Sequence, residues 1–367
     1  MKRILLALAT LLALSATAAS SWRTDILSDG YMARTVDQGR DYSGPVVSTI
    51  IRKLVPDSLR AKAPDGTVPA VLYVHGFNDY FFNAEMGDEF VAHGYDFYAV
   101  DLRRYGRSLR KGQPVFDARS LDEYFPDIDS ALVAINPAGS RRPTVLMGHS
   151  TGGLISAYYI HCRPDAPVDA LVLNSPFLDW NLGWKERFIP IISWVGLIDP
   201  RLKISQGMSQ AYAESLLKDR HGRWTYRTDW KMPQSPDVTA GWIRAITLAQ
   251  KALRGGHADI RIPILLMYSA RSVDGSRWTP EFNRADAVLS VADIARYGRT
   301  LGPDVTQIKV VGGLHDLLLS SPGLVAALYP RIFSWLDANL PHRASFRAAA
   351  LPSASCCLLY TSDAADD

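Results

Sequence analysis

Cysteines are scarce in this sequence, and the few present form no recognisable framework. The 367 residues contain three of them, Cys162, Cys356 and Cys357. Their spacing matches neither a set of disulfide pairs nor a C-x-x-C metal motif. A cysteine-stapled fold and a cysteine metal site are therefore both excluded.

The sequence also has little net charge. A formal charge of +3 is too small to indicate nucleic acid or an anionic surface as the main partner. With 47% hydrophobic and 21% charged residues, the composition is ordinary for a globular protein. We expect one large domain, with or without an insertion, and no nucleic-acid partner.

Long apolar runs are missing as well. Lys2 and Arg3 precede a short apolar run over 4–14, and Ala16-Thr17-Ala18 has the small-x-small pattern of a cleavage site. A transmembrane helix needs about 20 apolar residues. We therefore expect residues 1–19 to be a signal peptide. The mature protein would be exported to the periplasm or the extracellular space, with no stable membrane span.

The last part of the chain lacks the alternation of apolar and polar residues found before it. Residues 341–367 are small, polar and rich in alanine, so we expect a disordered tail. Residues 357–367 also look like the translation of a sequencing-library adaptor. They are interpreted as an artefact and excluded from the fold.

Between the ends, β-rich runs alternate with helical patterns. The predicted strands are VVSTIIRKL (46–54), VPAVLYVHG (68–76), YDFYAVDL (95–102), PTVLMGHS (143–150), VDALVLNSP (168–176), IPILLMYS (262–269) and VTQIKVV (305–311). The predicted helices lie near 83–93, 119–135, 151–162, 290–302 and 323–339. This pattern predicts an α/β fold with a mostly parallel sheet and helices on both faces. In such folds the ligand lies at the carboxyl ends of the strands.

One long segment interrupts that alternation. Residues 177–257 separate two predicted strands and hold six of the nine tryptophans. A connection of this length is expected to be structured. We therefore expect a helical lid inserted before the strand at 262–269, and a core formed by residues 20–176 and 258–340.

A candidate nucleophile follows the strand PTVLMGHS. Gly148-His149-Ser150-Thr151-Gly152 fits the G-x-S-x-G pattern between a strand and a helix. Glycines two before and two after the serine permit the tight turn of a nucleophile elbow. The pattern favours Ser150 as nucleophile over a plain strand-to-helix turn.

The base and the acid are expected later in the chain. His315 follows the last strand through two glycines, so it is the candidate base among eight histidines. Asp286 precedes it by 29 residues, which fits a turn, a helix and a strand. Asp286 is therefore the first choice for the acid, with Asp179 second and Asp274 third. The alternative for each aspartate is a helix cap or a surface position.

An oxyanion hole is predicted at the end of the strand VPAVLYVHG. There the backbone amide of Phe77 can join the amide of Thr151 in binding a developing alkoxide. Gly76 between His75 and Phe77 allows a close approach of the backbone.

Four stretches together resemble the α/β-hydrolase superfamily, and within it the serine aminopeptidase, lysophospholipase and monoacylglycerol lipase-like branch. They are YVHGFNDYFF (73–82), DLRRYGRS (101–108), GHSTGG (148–153) and GLHDLLLS (313–320). The resemblance extends over about 46–340. It implies Ser150 as nucleophile, His315 as base, and Phe77 and Thr151 as amide donors.

The sequence departs from that branch at the acid. In the family an aspartate follows its strand within a few residues, whereas Ala270-Arg271 stands there in this chain. If Asp286 is the acid, residues 270–285 form an insertion.

These residues predict hydrolysis of a small-molecule ester by two-step acyl transfer, with no cofactor and no metal. Tyr80, Phe81 and Phe82, beside the predicted oxyanion hole, suggest an apolar acyl or aryl group. Two alternatives remain. An aminopeptidase would need an acidic lid group for a substrate ammonium, for which the candidates are Glu186, Asp199, Glu214 and Asp219. A non-catalytic binding protein on a hydrolase fold is the other.

Overall fold

The structure is a computed structural model that describes residues 21–27, 29–63, 67–205 and 209–340. The predictions of a signal peptide over 1–19, a tail over 341–367 and an artefact over 357–367 lie outside the described residues.

The strands of the described chain agree with the predicted β-rich runs and add an edge that the sequence pattern does not predict. They are β1 (Arg23–Thr24), β2 (Met32–Asp41), β3 (Gly44–Lys53), β4 (Ala70–Val74), β5 (Asp96–Asp101), β6 (Thr144–His149), β7 (Ala170–Asn174), β8 (Lys203–Ile204), β9 (Val238–Thr239), β10 (Ile264–Ser269) and β11 (Val305–Val310). β4 to β7 and β10 are buried along their whole length. This is why they appear in the sequence as uninterrupted apolar runs.

The helices of the same residues include every one that the sequence predicts. They are α1 (Asp57–Arg60), α2 (Ala84–Ala92), α3 (Phe125–Ile135), α4 (Thr151–Cys162), α5 (Ile189–Ile198), α6 (Ala211–Leu216), α7 (Ala240–Leu253), α8 (Val291–Gly298) and α9 (Pro322–Asn339). Short 3₁₀ helices cover Gly106–Ser108, Leu121–Tyr124, Gly183–Phe188, Pro280–Asn283 and Leu317–Leu319. Over the described ranges, no helix combines the length and the apolar character that a membrane crossing requires.

Nine of the described strands form one sheet in the order β1-β2-β3-β5-β4-β6-β7-β10-β11. All neighbours from β5 to β11 in this order are parallel. The pairs β1–β2, β2–β3 and β3–β5 are antiparallel. The predicted mostly parallel sheet is confirmed.

Helices cover both faces of the sheet, and alternate residues of each strand contact opposite layers. In β4, Ala70, Leu72 and Val74 belong to the core cluster that includes side chains of α3, α4, α7 and α8. Val71 and Tyr73 belong to the cluster that includes side chains of α2 and α9. The protein therefore has a three-layer α/β architecture.

The predicted lid segment, residues 177–257, contains α5, α6 and α7, together with the small ribbon formed by β8 and β9. Helix α7 contributes Trp242, Ile243 and Ile246 to the large core cluster. Helix α5 packs on α7 so closely that a Cβ on Gly196 would lie 2.2 Å from the carbonyl oxygen of Ala240. The segment is structured and largely helical, and its role as a lid stays a prediction.

Candidate active site

The predicted site residues follow strands whose carboxyl ends lie at one edge of the sheet. The register pairs Val74 of β4 with Gly148 of β6, and His149 of β6 with Asn174 of β7. The last residue of β10, Ser269, pairs with Val310 of β11. The segments that carry Phe77, Ser150 and His315 therefore start from the same edge.

Ser150 occupies the turn between β6 and α4 in a strained conformation. Its φ is +53° and its ψ is −119°, a region that residues with a side chain rarely adopt. The Ser150 amide donates to the carbonyl of Asn174 (3.0 Å), and the Ser150 carbonyl accepts from the amides of Leu154 and Phe177. These bonds hold the turn, which has the form of the predicted nucleophile elbow.

The glycines on either side of Ser150 are required by space. A Cβ on Gly148 would lie 2.4 Å from the carbonyl oxygen of Gly152. A Cβ on Gly152 would lie 2.2 Å from the carbonyl oxygen of His75. Both distances are far below van der Waals contact, so any larger residue at either position would displace backbone.

His315 lies between Ser150 and Asp286. Its Nε2 is 2.9 Å from the Ser150 hydroxyl oxygen, and its Nδ1 is 2.9 Å from Oδ2 of Asp286. Because a carboxylate only accepts, Nδ1 carries the proton and Nε2 is free to accept from the serine hydroxyl. The structure thus brings the three predicted residues into one hydrogen-bonded chain.

Burial separates this chain of groups from bulk water. Ser150 is 8% exposed, His315 2% and Asp286 0%. The second carboxylate oxygen of Asp286, Oδ1, accepts from the amides of Val288 and Leu289, both at 2.8 Å. The buried carboxylate therefore has donors at both oxygens, as a group in this position requires.

The other two candidate acids are placed elsewhere. Asp179 is paired with Arg254 and accepts from the amide of Trp180 (2.9 Å). Asp274 is exposed to solvent. Neither forms a hydrogen bond to His315 within the described chain.

Asp286 reaches His315 because its segment returns to the end of β10. The Asp286 amide donates to the carbonyl of Arg271 (3.0 Å), and the Val273 amide donates to the carbonyl of Asp286 (2.8 Å). Ser272 and Asp286 form an isolated parallel bridge. Residues 274–285 therefore form an excursion whose two ends meet, as the predicted insertion requires.

The loop that holds Phe77 lies directly beside the serine. A Cβ on Gly76 would be 3.1 Å from the Cβ of Ser150. His75 Nε2 accepts from the amide of Leu102 (3.1 Å), so Nδ1 carries the proton and donates to the carbonyl of Gly76 (2.8 Å). In a trans peptide the carbonyl and the following amide point in opposite directions. His75 thereby fixes the orientation of the Phe77 amide, a role that the sequence analysis did not assign.

A second buried cluster, also missed from the sequence, holds the segment after His315. Asn174 donates to Oδ1 of Asp316 (2.8 Å) and accepts from the amide of Leu317 (3.2 Å). His149 lies beside this cluster, with Nε2 3.9 Å from Oδ2 of Asp316. Burial lowers the pKa of His149 below its ordinary value, although the charge of Asp316 acts in the opposite direction.

A cavity of about 220 Å³ adjoins the oxyanion loop. Its apolar lining includes Phe77, Phe116 and Trp242, and its polar lining includes Asp117, Lys203 and Asp237. The ring centroids of Phe77 and Trp242 are 4.8 Å apart.

Asp117 is the buried acid of this cavity. It accepts from the hydroxyl of Thr239 (2.5 Å). Burial raises the pKa of the Asp117 carboxyl, while the hydrogen bond from Thr239 partly opposes this change.

The aromatic residues predicted beside the oxyanion hole have other neighbours. Phe81 is 1% exposed in the core cluster of α2 and α9. The rings of Tyr80 and Phe82 pack against Trp230 and Trp224 of the lid segment. Tyr80 and Phe82 therefore connect the lid segment to the core. Phe116 and Trp242, instead of these aromatic residues, line the cavity with Phe77.

No cluster of three or more histidine, cysteine, aspartate or glutamate side chains suited to a metal ion occurs within the ranges that the structure covers.

The chain matches the model of a known protein family. The family model described as serine aminopeptidase, S33, matches residues 66–273, more than half of the chain. The chain belongs to the serine aminopeptidase S33 family. The matched range includes Phe77 and Ser150 and ends before Asp286 and His315.

Two curated proteins are related in sequence. Phospholipase YtpA of Bacillus subtilis (strain 168) is 23% identical over 208 residues, which are 55% of this chain and 75% of the relative. Bifunctional esterase/perhydrolase DCH of Acinetobacter calcoaceticus is 35% identical over 86 residues, 23% of this chain and 28% of that protein. With the family match, these relatives identify the S33 protein as a serine hydrolase.

Solved structures of lipases share the fold. A monoacylglycerol lipase of Paleococcus ferrophilus has a TM-score of 0.55 at 21% identity, over 74% of this chain and 94% of the other. A soluble variant of the monoglyceride lipase of Saccharomyces cerevisiae has a TM-score of 0.57 at 16% identity, over 83% and 94%. The predicted α/β-hydrolase fold is confirmed.

Proposed function

We propose that this serine hydrolase cleaves carboxylic esters through an acyl-enzyme, with Ser150 as nucleophile, His315 as base and Asp286 as acid. The observation that carries the proposal is the hydrogen-bonded chain from the Ser150 hydroxyl through both ring nitrogens of His315 to Asp286, at 2.9 Å in each step. This is the geometry that nucleophilic acyl transfer requires.

In the first half-reaction His315 Nε2 takes the proton of Ser150 while the serine oxygen attacks the ester carbonyl carbon. The negative charge that develops on the carbonyl oxygen is bound by the amides of Phe77 and Thr151. When the bond to the alkoxy oxygen breaks, the proton on Nε2 passes to that oxygen and the alcohol leaves. The acyl group remains on Ser150.

In the second half-reaction water replaces the alcohol. His315 takes a proton from the water as its oxygen attacks the acyl carbon, and the same two amides bind the oxyanion. Collapse of this intermediate returns the proton to Ser150 and releases the carboxylic acid. The buried Asp286 carboxylate stabilises the imidazolium that exists in both intermediates.

The proposed substrate is a lipid-like, aryl or alkyl ester. The related phospholipase and the esterase/perhydrolase support this class. A cavity of about 220 Å³ is smaller than the ~300–1,000 Å³ of drug-sized sites. The group held beside Phe77 and Trp242 is therefore a short acyl chain or one aromatic ring. A larger substrate would extend past the exposed Lys203 and Asp237.

Aminopeptidase activity is the second candidate, favoured by two acidic residues in the cavity lining. Asp117 and Asp237 could bind a substrate ammonium group there. The acidic residues expected from the sequence do not line this cavity. Of these, Glu186 and Asp199 instead accept hydrogen bonds from backbone amides within the lid segment.

The test is active-site labelling with a fluorophosphonate probe, peptide mapping, and turnover of p-nitrophenyl esters and amino-acid p-nitroanilides. We expect an adduct on Ser150 and ester turnover that falls by about 10⁴-fold or more in Ser150→Ala. Ser156→Ala is the matched control, because Ser156 is buried in the same helix α4 and its hydroxyl has no partner in the described chain. Full ester turnover by Ser150→Ala would refute the proposal, and cleavage of p-nitroanilides alone would favour the aminopeptidase.

We also propose that residues 1–19 direct export, because a basic start, a short apolar run and a small-x-small site occur in that order. Amino-terminal sequencing of protein from the periplasmic and extracellular fractions tests this. A start near residue 20 in either fraction is expected, and an intact Met1 confined to the cytoplasm would contradict export.

A further inference from the structure

Large exposed apolar side chains are concentrated on one part of the lid segment. Fourteen such side chains occur among the described residues, and eight of them lie within 182–202. We call these eight the α5 outer face: Leu182, Trp184, Phe188, Ile191, Trp194, Leu197, Ile198 and Leu202. Trp194 is 60% exposed and Ile198 65%. A concentration of large exposed apolar side chains of this kind is typical of an interaction site.

The helix itself explains why the face is exposed. The buried residues of α5 are Ile189, Ser193 and Gly196, at spacings of four and three. They form a narrow strip that packs on α7 at the close approach of Gly196. Ile191, Trp194 and Ile198 repeat at three and four residues on the other side of the helix. The core therefore does not cover these three side chains, and they are free to contact a partner.

The charges around the face indicate the partner. Four basic side chains, Lys185, Arg187, Arg201 and Lys203, are exposed within residues 182–203. The guanidinium of Arg187 lies 5.0 Å from the ring centre of Trp184. Tryptophan with basic residues at the rim of an apolar face is typical of segments that lie in a lipid interface.

The acidic side chains of residues 182–203 cancel only part of this positive charge. Residues 182–203 contain two acids, Glu186 and Asp199, against the four basic residues, so a formal charge of +2 remains. Each of the two acids accepts a hydrogen bond from a backbone amide of the same residues. The local excess of positive charge would repel a second copy of the same face. It favours an anionic partner, even though the net charge of the whole chain is small.

The α5 outer face ends beside the cavity. Lys203 follows Leu202 directly and lines the cavity beside the oxyanion loop. It also pairs with Thr239, another lining residue, in the ribbon of β8 and β9. A surface bound by the α5 outer face would therefore lie next to the mouth of the cavity.

We propose that the α5 outer face docks on the surface of an anionic lipid bilayer. Phe188, Trp194 and Ile198 enter the apolar boundary, and the basic rim contacts the lipid head groups. This inference goes beyond the proposed ester hydrolysis, because it concerns the bilayer surface at which the protein would meet its substrate.

Vesicle binding is measured with the Ser150→Ala protein. The result then does not depend on whether the protein hydrolyses esters. The protein is sedimented with vesicles of phosphatidylcholine alone and of phosphatidylcholine mixed with phosphatidylglycerol. We expect tighter binding to the mixed vesicles, weakening as salt is added. Trp194→Ser with Ile198→Ser should weaken binding by about tenfold or more, because two apolar side chains no longer enter the lipid.

The matched control is Val133→Ser with Val311→Ser, two exposed apolar residues outside the face, at 64% and 83% exposure. Its vesicle binding should equal that of the parent protein. All variants should keep the parent melting temperature, since only exposed side chains change. Equal vesicle binding by the two double variants would overturn the proposal. A dimer that Trp194→Ser with Ile198→Ser dissociates, without vesicle binding by the parent, would also overturn it and assign the face to a protein interface.

Discussion

Asp286 Oδ2 lies 2.9 Å from His315 Nδ1, although the aspartate enters the site only after an excursion from the end of β10. The two backbone hydrogen bonds between Asp286 and the segment 271–273 stand in place of the short connection that the family resemblance predicts. The position of the acid is thus determined by pairing with the strand end.

Asp286→Asn is expected to lower ester turnover by about 10⁴-fold, because an amide no longer holds His315 in the required tautomer. The fold should persist, since the amides of Val288 and Leu289 can still donate to the side-chain oxygen. Turnover and thermal unfolding are measured together. Asp274→Asn, at an exposed position, serves as control and should be fully active. The assignment is wrong if Asp179→Asn is inactive while Asp286→Asn is active.

His75→Ala should lower kcat by about 10²- to 10³-fold, the range for the loss of one oxyanion donor. The Phe77 amide loses its fixed orientation when the bond from His75 Nδ1 to the Gly76 carbonyl is removed. KM should change little, because the donor acts in the transition state. His93→Ala, at the end of α2, is the comparison and should leave kcat unchanged. Equal kcat values for the two variants would rule out this role.

Gly152→Ala is expected to reduce the free energy of unfolding by about 3 kcal/mol, since the new methyl group meets rigid backbone of the oxyanion loop. Gly323→Ala, near the start of α9, has open space around the added carbon. It should raise the free energy of unfolding by up to about 1 kcal/mol. Urea denaturation measures both. Similar small effects at the two positions would show that the elbow tolerates a side chain.

The buried His149 should make the protein less stable in mild acid. Its pKa is lowered in the folded state, so below the ordinary value of 6.5 the unfolded chain binds the proton first. Stability is present above pH 6.5 and is lost as the pH falls from there toward the lowered value, by at most about 1.4 kcal/mol per pH unit. Urea denaturation between pH 8 and about 5.5 tests this. The slope should be smaller in His149→Gln, and an unchanged slope would contradict the prediction.

The sequence predicts the parallel part of the sheet because its strands are buried on both faces and therefore appear as continuous apolar runs. β2 (Met32–Asp41) has no such run. It lies near the sheet edge, and only one of its ten residues, Ala33, is buried. Its strand conformation comes from pairing with β3, which the sequence of β2 alone does not indicate.

The triad candidates could be predicted because chain order and element spacing restrict the choices. The supporting groups could not be predicted in the same way. Asn174 and Asp316 are 142 residues apart in sequence, and their contact depends on the side-by-side placement of β7 and the segment after β11. Trp242 is one of six tryptophans in the lid segment, and only the packing of α7 on the core brings its ring against Phe77.

Because Val273 and Asp286 are joined by a backbone hydrogen bond, the position of the acid does not depend on the length of the connection between them. The entropic free-energy cost of closing a loop changes by only about 0.6 kcal/mol when the length of the loop doubles or halves. Evolution can therefore lengthen or shorten residues 274–285 at little thermodynamic cost while the carboxylate stays against His315. An alignment that counts residues from β10 would assign the acid to the wrong position in such relatives, whereas superposition of strand ends would find it.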